Sequence, residues 1–217
     1  MEIENNCAMP LIHKLSDSKF IMGLWSVEED LEMLLTMVDL NGTDKEKLNE
    51  FNNPLRKIEW LSVRVLLKQL LNYDAEIYYN ENRKPFLKDC SHNISISHSH
   101  KISSVILSRD HFVGIDLEHM THRIGRISGK FINNGEYITS DKSLEYYHLY
   151  IHWCAKEALY KICDKTGLNF KTNILIDHFE PEDEGVITGH VNRGGHLEDF
   201  RLNYFKFENY IVVWCMK

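Results

Sequence analysis

Two long helix-forming segments, one in each half of the chain, constrain the fold more than any other feature. The first opens at Asn53-Pro54 and runs to about residue 72, because proline is favoured in the first turn of a helix. The second is capped by Ser140 or Asp141 and reaches residue 163 or 164. Each carries an apolar stripe at the helical period. The stripes are Leu55, Ile58, Leu61, Val65 and Leu70, and Leu144, Tyr147, Ile151, Cys154, Ala158 and Ile162.

Strand patterns surround both helices. Before the first helix come a strand over Lys19–Trp25, a helix over Val27–Asp39 capped by Ser26, and a break at Asn41-Gly42. The other predicted strands are Ala75–Tyr79, a meander of Asn93–Ser97, Ile102–Ser108 and Phe112–Glu118, and then Asn173–His178, Gly185–His190, His196–Phe207 and Tyr210–Cys215, with a turn at Arg193-Gly194-Gly195. This order predicts an α+β fold with antiparallel sheets, in two similar halves of residues 1–109 and 110–217 that pack as one unit.

Composition and charge exclude several classes of protein. The formal net charge of −7 argues against a general nucleic-acid binder, but not against a small anionic ligand held by a local cluster of Lys and Arg. No run of about 18 apolar residues is present and residues 1–25 lack a signal-peptide pattern, so we expect no membrane span and no signal peptide. The five cysteines, Cys7 among them, are scattered, which predicts free thiols in a reducing, cytoplasmic compartment. The 12 histidines lack a zinc-binding spacing, so we do not expect a zinc site.

The strand pattern over Phe112–Glu118 carries two carboxylates on one face. Successive strand side chains point to opposite faces, so Asp116 and Glu118 share a face with Gly114. A glycine there lets a ligand or another backbone come close. An edge strand with a solvated face gives the same pattern, so this strand alone leaves both interpretations open.

The sequence WCAKEALYK places Trp153, Glu157 and Lys161 on one stripe of the second helix, because residues four apart share a face. Glu157 and Lys161 alone would form an ordinary surface salt bridge, worth about 0.3–0.5 kcal/mol. A surface helix seldom exposes a tryptophan, so this face is predicted to pack or bind something. If it meets Asp116 and Glu118, three carboxylates beside a lysine make a Mg²⁺ site able to hold a pyrophosphate, and the chain is a phosphoryl-type transferase.

Two polar segments are candidate phosphate sites. In the strand end NISISHS, Ser97 and His98 can donate hydrogen bonds to phosphate oxygens. In the loop Arg83-Lys84-Pro85, the cations can clamp a phosphate while the proline fixes the backbone. Taken alone, each motif also fits an ordinary polar turn. A hydrolase is disfavoured, because adjacent strand residues point apart and no GxSxG elbow is present.

Together, these pieces resemble the 4′-phosphopantetheinyl transferases, specifically the larger single-chain type that activates peptide and polyketide synthetases. The four motifs that carry the resemblance occur in family order, and they are Asn82–Pro85, Ser95–Ser99, Gly114–Glu118 and Trp153–Lys161. Weaker similarity extends upstream through Glu59–Arg64 and the Trp25 strand.

The resemblance implies a pseudo-twofold, monomeric fold with coenzyme A in the cleft between the halves. It implies Mg²⁺, with Mn²⁺ as an alternative, bound by Asp116, Glu118 and Glu157. The residues implied for coenzyme A are Lys47, Arg83, Lys84, Ser97, His98, Asp116, Lys156 and Lys161.

The implied reaction moves 4′-phosphopantetheine from coenzyme A to a serine of an acyl or peptidyl carrier protein. Asp116, Glu157 and Lys161 are the implied catalytic residues: Glu157 takes the serine proton and Lys161 stabilises or protonates the departing phosphate. Such carriers are acidic helical bundles, so the docking face should be locally basic or apolar. The candidate lies in a predicted loop and short helix over Thr121–Glu136, with Arg123, Arg126 and Lys130, although an ordinary basic loop has the same composition.

Two alternatives stay open. A protein that binds coenzyme A or a nucleotide without chemistry would not need the acid set beside Lys161, and a different Mg²⁺-dependent phosphotransferase would carry a Walker or kinase signature that this chain lacks. One departure from the family is clear: its loop usually reads Gly-Lys-Pro, and Arg83 in place of glycine restricts the backbone.

Overall fold

The computed structural model describes residues 11–164 and 167–217, and the fold is α+β with every strand pairing antiparallel. Residues 1–10, which include Cys7, lie outside the described residues. The predicted absence of a signal peptide concerned residues 1–25, so it falls partly on that segment. Cys90, Cys154, Cys163 and Cys215 are free thiols. Within the described ranges, no helix combines the length and the apolar character needed to cross a membrane.

The elements before residue 110 are β1 (Leu11–Ser16), β2 (Ile21–Ser26), α1 (Leu31–Met37), α2 (Gly42–Glu50), α3 (Pro54–Leu71), β3 (Ile77–Tyr79), β4 (Pro85–Leu87), β5 (Asn93–Ser99) and β6 (Ile102–Ser108). The later elements are β7 (Val113–His119), α4 (Ile124–Phe131), α5 (Glu145–Ile162), β8 (Ile174–Ile176), β9 (Glu184–Arg193), β10 (His196–Phe207) and β11 (Tyr210–Met216). The division at residue 110 and a pseudo-twofold axis stay predictions.

The first long helix begins and ends where predicted. The Asn53 side chain caps α3 by accepting a hydrogen bond from the Leu55 amide, and Asn72 ends it in the left-handed conformation with φ 64°. Leu55 was wrong as a core residue, because it lies in the first turn and is 67% exposed. The remaining members of the predicted stripe are buried or half-buried.

Three other helix boundaries differ from the predictions. Asp30, not Ser26, caps α1 by accepting from the Met33 amide, because Ser26 still belongs to β2. Asn41, predicted as a breaker, caps α2. The helix α5 starts at Glu145, because the preceding turn is held by Asp141, whose carboxylate accepts from the Ser143 amide and hydroxyl.

The predicted three-strand meander was wrong at its third strand. One sheet has the order β1-β2-β6-β5 and the other has the order β7-β11-β10-β9-β8, while β3 and β4 form a separate pair. In the first sheet β6 pairs with β5 on one side and with β2 on the other, so it has no free edge for β7. Instead β7 pairs with β11, where Ile115 lies opposite Trp214.

Three apolar clusters hold these layers together. One lies around α3 in the first half, and one lies around α5 in the second. The third joins the two larger sheets through β2 and β6 on one side and β7 and β11 on the other, with Met22 and Ile106 packed near Ile115 and Val212. This third cluster holds β5 beside β7, where the predicted serine and carboxylate motifs meet.

Candidate active site

A row of serines joins β5 to β7. Ser97 donates its hydroxyl hydrogen to Asp116 Oδ1 at 2.8 Å, and Ser99 donates to Glu118 Oε2 at 2.8 Å. Ser95 Oγ accepts a hydrogen bond from the Ile115 amide at 3.1 Å. Alternate residues of a strand share a face, so the repeated serines of NISISHS all point at β7.

Lys161 brings three of the sequence motifs together. Its ammonium group lies 2.7 Å from Asp116 Oδ1, 3.0 Å from Ser97 Oγ and 2.9 Å from the Ile115 carbonyl oxygen. The ion pair is almost enclosed, with 15% of the Lys161 side chain and 6% of the Asp116 side chain exposed. The late helix, the acidic strand and the serine strand therefore converge on one buried contact.

The other end of the helix stripe contacts the second strand carboxylate. Trp153 donates its indole hydrogen to Glu118 Oε1 at 3.3 Å, while its ring packs against Phe131 and Phe170. Glu157 is half-buried and stands one helical turn from Trp153 and one from Lys161. Since those two residues contact Glu118 and Asp116, the stripe runs along the acidic face of β7.

The space left by the missing side chain of Gly114 is occupied by the backbone of helix α5. A Cβ atom on Gly114 would lie 2.3 Å from the carbonyl oxygen of Ala158 and 3.2 Å from Ile162 Cβ. The missing side chain therefore lets the backbone of α5 lie directly on β7. This close approach brings the lysine of the helix within reach of the strand carboxylates.

The two strand carboxylates fit a hard divalent cation in their donor chemistry. Asp116 Oδ2 is buried and has no hydrogen-bond partner, which leaves an acceptor available. Burial, followed by the nearby charge of Asp116, raises the pKa of Glu118 above its ordinary value, and a bound cation would offset both effects. Among residues 11–164 and 167–217, however, no three His, Cys, Asp or Glu side chains are already gathered as a metal site.

The structure gives Lys156 a structural role, which corrects its inclusion among the coenzyme-binding residues. Its ammonium group is fully buried and lies 2.7 Å from Glu136 Oε2 and within 2.9 Å of three carbonyl oxygens, those of Phe131, Phe170 and Ile174. All its hydrogen-bonding capacity is used inside the second half of the chain. Burial lowers the pKa of Lys156, and the contact with Glu136 opposes that shift.

A cavity of about 530 Å³ lies between α2, α3 and the β3–β4 loop, and it collects the other predicted binding residues. Lys47, Arg83 and His98 line it, as do Arg56 and Arg64. His98 Nε2 accepts from the Arg56 guanidinium at 2.9 Å, and burial lowers the pKa of His98. Ser97 points instead to Lys161, so these neighbours serve two different places, as alternation along a strand requires.

Lys84 and its neighbour Arg83 line different cavities. It lies with Lys161 and Ser95 in a crevice of about 20 Å³ that shares two lining residues, Pro85 and Ile96, with the large cavity. Its ammonium group donates to the Ile162 carbonyl oxygen at 3.2 Å, and burial lowers its pKa. The crevice therefore adjoins both the cavity and the Lys161–Asp116 pair.

Sequence reasoning missed two cations of the cavity. The Arg64 guanidinium bonds to Asp44 of α2 at 2.9 Å and stacks on Trp60, with 3.1 Å from its central carbon to the ring centroid. Arg56 contacts His98 from the same helix. Arg56, Trp60 and Arg64 are spaced four apart, so their shared face was a usable signal.

Comparison with known proteins gives one match. Residues 112–215 match the family model described as the 4′-phosphopantetheinyl transferase superfamily. The match covers just under half of the chain, and this segment is similar to that superfamily. Members of the superfamily transfer phosphopantetheine to carrier proteins, with coenzyme A as the co-substrate and typically with a divalent metal ion. No curated protein matches the chain.

The superfamily segment contains only part of the candidate site. It runs from just before β7 into β11, and it includes Asp116, Glu118, Glu157 and Lys161. The serines of β5 and the cavity lie before it in the chain. The contact between Ser97 and Asp116 therefore joins the phosphopantetheinyl transferase segment to the part of the chain that precedes it.

Proposed function

We propose that this chain transfers 4′-phosphopantetheine from coenzyme A to a serine of an acyl or peptidyl carrier protein, as a phosphopantetheinyl transferase of the larger single-chain type. The observation that carries the proposal is the contact of Lys161 with Asp116 and Ser97, since it unites three independently chosen motifs. The adjoining cationic cavity offers room for the nucleotide end of coenzyme A. We also expect a cytoplasmic monomer.

Asp116, Glu118 and Glu157 would hold Mg²⁺ or Mn²⁺, although the structure presents no ready-made cluster of three such ligands among the residues it describes. When bound, the ion would neutralise charge on the pyrophosphate and on the leaving group. Glu157 would take the proton of the carrier serine. The serine oxygen would then bond to the pantetheine-bearing phosphorus while the bond to the bridging oxygen breaks.

Lys161 would compensate the charge of the departing adenosine 3′,5′-bisphosphate. Its three donors already have protein acceptors, so it would exchange one of them for a phosphate oxygen. Lys84, in the adjoining crevice, is a second cation for the pyrophosphate. Both side chains are positioned before substrate arrives, which reduces reorganisation during the reaction.

The decisive test is a mass measurement with coenzyme A, Mg²⁺ and a purified apo-carrier. The wild type should add one phosphopantetheine to the carrier, and Glu157→Gln should slow that addition by about 100-fold or more, the usual contribution of a general base. Glu145→Gln, on the same helix, is the matched control and should retain full activity. Near-normal transfer by Glu157→Gln would remove Glu157 from its role, and coenzyme A binding without any transfer would favour the non-catalytic alternative.

We propose α4 as the docking site of the carrier. Arg123, Arg126 and Lys130 are exposed along this helix and at its start, while Ile124 and Phe131 anchor its opposite side in the core. A cleft of about 510 Å³, lined partly by Met120, Leu144 and Tyr146, opens beside the start of α4 and adds apolar surface. Basic and apolar groups together suit an acidic helical partner.

Charge reversal tests the docking proposal. The triple variant Arg123→Glu, Arg126→Glu and Lys130→Glu should raise the KM for the carrier about 10-fold or more at low salt, because the like charges now repel. Binding of coenzyme A should be unchanged. The same reversal at Lys142, outside α4, is the control; equal effects of both changes on the carrier KM would argue against α4.

A further inference from the structure

The serines of β5 take the place of a backbone ladder between two sheets. In the described part of the chain, β5 and β7 are each the outermost strand of a different sheet. Ser95 Oγ accepts a hydrogen bond from the Ile115 amide at 3.1 Å, and further along both strands Ser99 Oγ accepts one from the His119 amide at 3.1 Å. The two strands therefore run in the same direction, and serine hydroxyls satisfy amides that a neighbouring strand of the same sheet would otherwise bond.

Ser99 also contacts the side chain of the residue before His119. Its hydroxyl donates to Glu118 Oε2 at 2.8 Å, while its oxygen accepts from the His119 amide. A hydroxyl has a single hydrogen to donate, and the amide occupies the oxygen side of the group, so that hydrogen is directed to the carboxylate. Ser99 therefore holds Glu118 both at its side chain and at the peptide bond that follows it, which closes a ring around the side-chain torsions of Glu118.

The other oxygen of this carboxylate is held by a later part of the chain. Trp153 of α5 donates its indole hydrogen to Glu118 Oε1 at 3.3 Å, so one donor precedes Glu118 in the chain and the other follows it. Glutamate has several rotatable side-chain bonds, and fixing both oxygens removes that freedom before any ligand binds. Each oxygen keeps a lone pair for a further partner. Asp116 shares this face of β7, and its Oδ2 is buried and bonds to no described residue.

We propose that Ser99 is a positioning residue for divalent-cation binding: it orients the Glu118 carboxylate towards an ion that Asp116 and Glu118 share. This inference rests on the proposed function for the presence of the ion. It goes further in giving a role to a serine that lies before residues 112–215, outside the segment similar to the superfamily. The acidic strand of that segment therefore depends on the preceding part of the chain for the orientation of one carboxylate.

Binding of Mn²⁺ tests the inference without a carrier protein. The free-ion signal in electron paramagnetic resonance is followed as Mn²⁺ is added to the whole chain with coenzyme A, and a titration of coenzyme A alone is subtracted. Ser99→Ala should weaken Mn²⁺ binding about 10-fold, the lower end of the usual effect of losing the partner of a metal ligand. Ser99→Thr keeps the hydroxyl and should stay within about 2-fold of the wild type. Ser99→Cys, which fills the same space with a weak donor, should show an intermediate loss.

Ser95→Ala is the matched control. It removes the same kind of contact, a serine oxygen that accepts from an amide of β7, but no hydrogen bond joins Ser95 to a carboxylate among the described residues. Both alanine variants should lower the urea midpoint of unfolding, because each leaves one amide of β7 without its acceptor. Only Ser99→Ala should change Mn²⁺ affinity. In the mass assay, only Ser99→Ala should raise the Mg²⁺ concentration for half-maximal transfer, again about 10-fold, and saturating Mg²⁺ should restore most of its activity.

Three results would overturn the inference. They are equal losses of Mn²⁺ affinity in Ser95→Ala and Ser99→Ala, which a loosened contact between the strands would cause, no loss in Ser99→Ala, and no Mn²⁺ binding by the wild type. Transfer by Ser99→Ala with an unchanged dependence on Mg²⁺ would overturn the role of Ser99 and keep the proposed function. Mn²⁺ binding that depends on Ser99, without transfer by the wild type, would overturn the proposed function and keep the role of Ser99.

Discussion

Lys161 is the residue on which the site depends most. Its ammonium group neutralises the buried Asp116 carboxylate and also holds the Ser97 hydroxyl and the Ile115 carbonyl oxygen. An ion pair this well enclosed is poorly screened by solvent, and removing one member leaves the other charge buried alone. The stability of this part of the fold and the proposed chemistry therefore depend on the same side chain.

The first prediction for single residues concerns the balance of charge between Lys161 and Asp116. Lys161→Met should lower the free energy of unfolding by about 3 kcal/mol, because Asp116 is left buried without a counter-charge. Adding Asp116→Asn should restore part of that loss, since neither charge remains. Urea unfolding of the two single variants and the double variant measures the coupling. Purely additive losses would show that the pair is not coupled, whereas transfer activity should be absent from every variant.

Local sequence rules account for the contacts of some of these residues but not for those of Lys156. Asp116, Glu118 and Lys161 share one site because alternation along a strand and the four-residue spacing along a helix are local rules. Lys156 obeys the same helical rules but lies in the core beside Glu136. No local pattern identifies which lysine of WCAKEALYK meets a buried carboxylate from another segment.

At the scale of elements, the direct contact of α5 with β7 positions Lys161 beside Asp116. Gly114 lies against the Ala158 carbonyl oxygen, so the backbone of the helix is already in direct contact with the strand. The sequence suggested that a ligand or a backbone approaches this glycine. The packing of α5 shows that it is a backbone, that of Ala158, which approaches Gly114.

Gly114→Ala should separate α5 from β7. The new Cβ atom would lie 2.3 Å from a backbone oxygen, which must shift. We expect a loss of about 1–3 kcal/mol in the free energy of unfolding and a larger proportional loss of transfer activity, because Lys161 moves with the helix. Denaturant unfolding and the carrier mass assay measure the two effects.

Gly129→Ala is the control for that variant. A Cβ atom at Gly129, within α4, meets no other atom within 4 Å, and alanine favours a helix more than glycine does. This variant should be as stable as the wild type or slightly more stable. A Gly114→Ala protein with unchanged stability would show that the contact with α5 adjusts without cost.

At the scale of the whole molecule, histidines with opposite pKa shifts influence how stability depends on pH. Burial, with the nearby His152, lowers the pKa of His148 to about 4, and burial also lowers the pKa of His152. On the surface, hydrogen bonds with Asp199 and then Asp177 outweigh partial burial and raise the pKa of His190. The two sets therefore contribute to stability with opposite signs as pH changes.

Acidification should destabilise the fold through His148. The unfolded chain protonates this residue below about pH 6.5, whereas the folded chain does so only near pH 4, so its contribution is present above pH 6.5 and is lost as pH falls towards 4. The loss should be about 2–3 kcal/mol. His148→Gln, whose amide oxygen can still accept from the Thr139 amide, should have a flatter profile in denaturant unfolding at pH 4–7.

His190→Gln is the control of opposite sign. The raised pKa of His190 stabilises the fold below pH 6.5, and that contribution is lost as pH rises through the folded-state pKa. Its removal should therefore steepen the loss of stability on acidification. Identical profiles for His148→Gln and the wild type would show that the buried imidazole does not contribute to acid sensitivity.

The sequence by itself determined the α+β class, both long helices and most of the strands, and it pointed to the residues proposed to carry the chemistry, because these follow from local periodicity, capping and spacing. It also identified the unusual arginine in the β3–β4 loop. Tertiary structure alone decided that β7 leaves the meander for the second sheet, that Ser97 and Lys161 meet at Asp116, that Lys156 is structural and that Arg56 and Arg64 line the cavity. The physical reason is that sheet partners and buried ion pairs join segments far apart in the chain, and packing between the two halves selects among pairings that the local patterns permit equally.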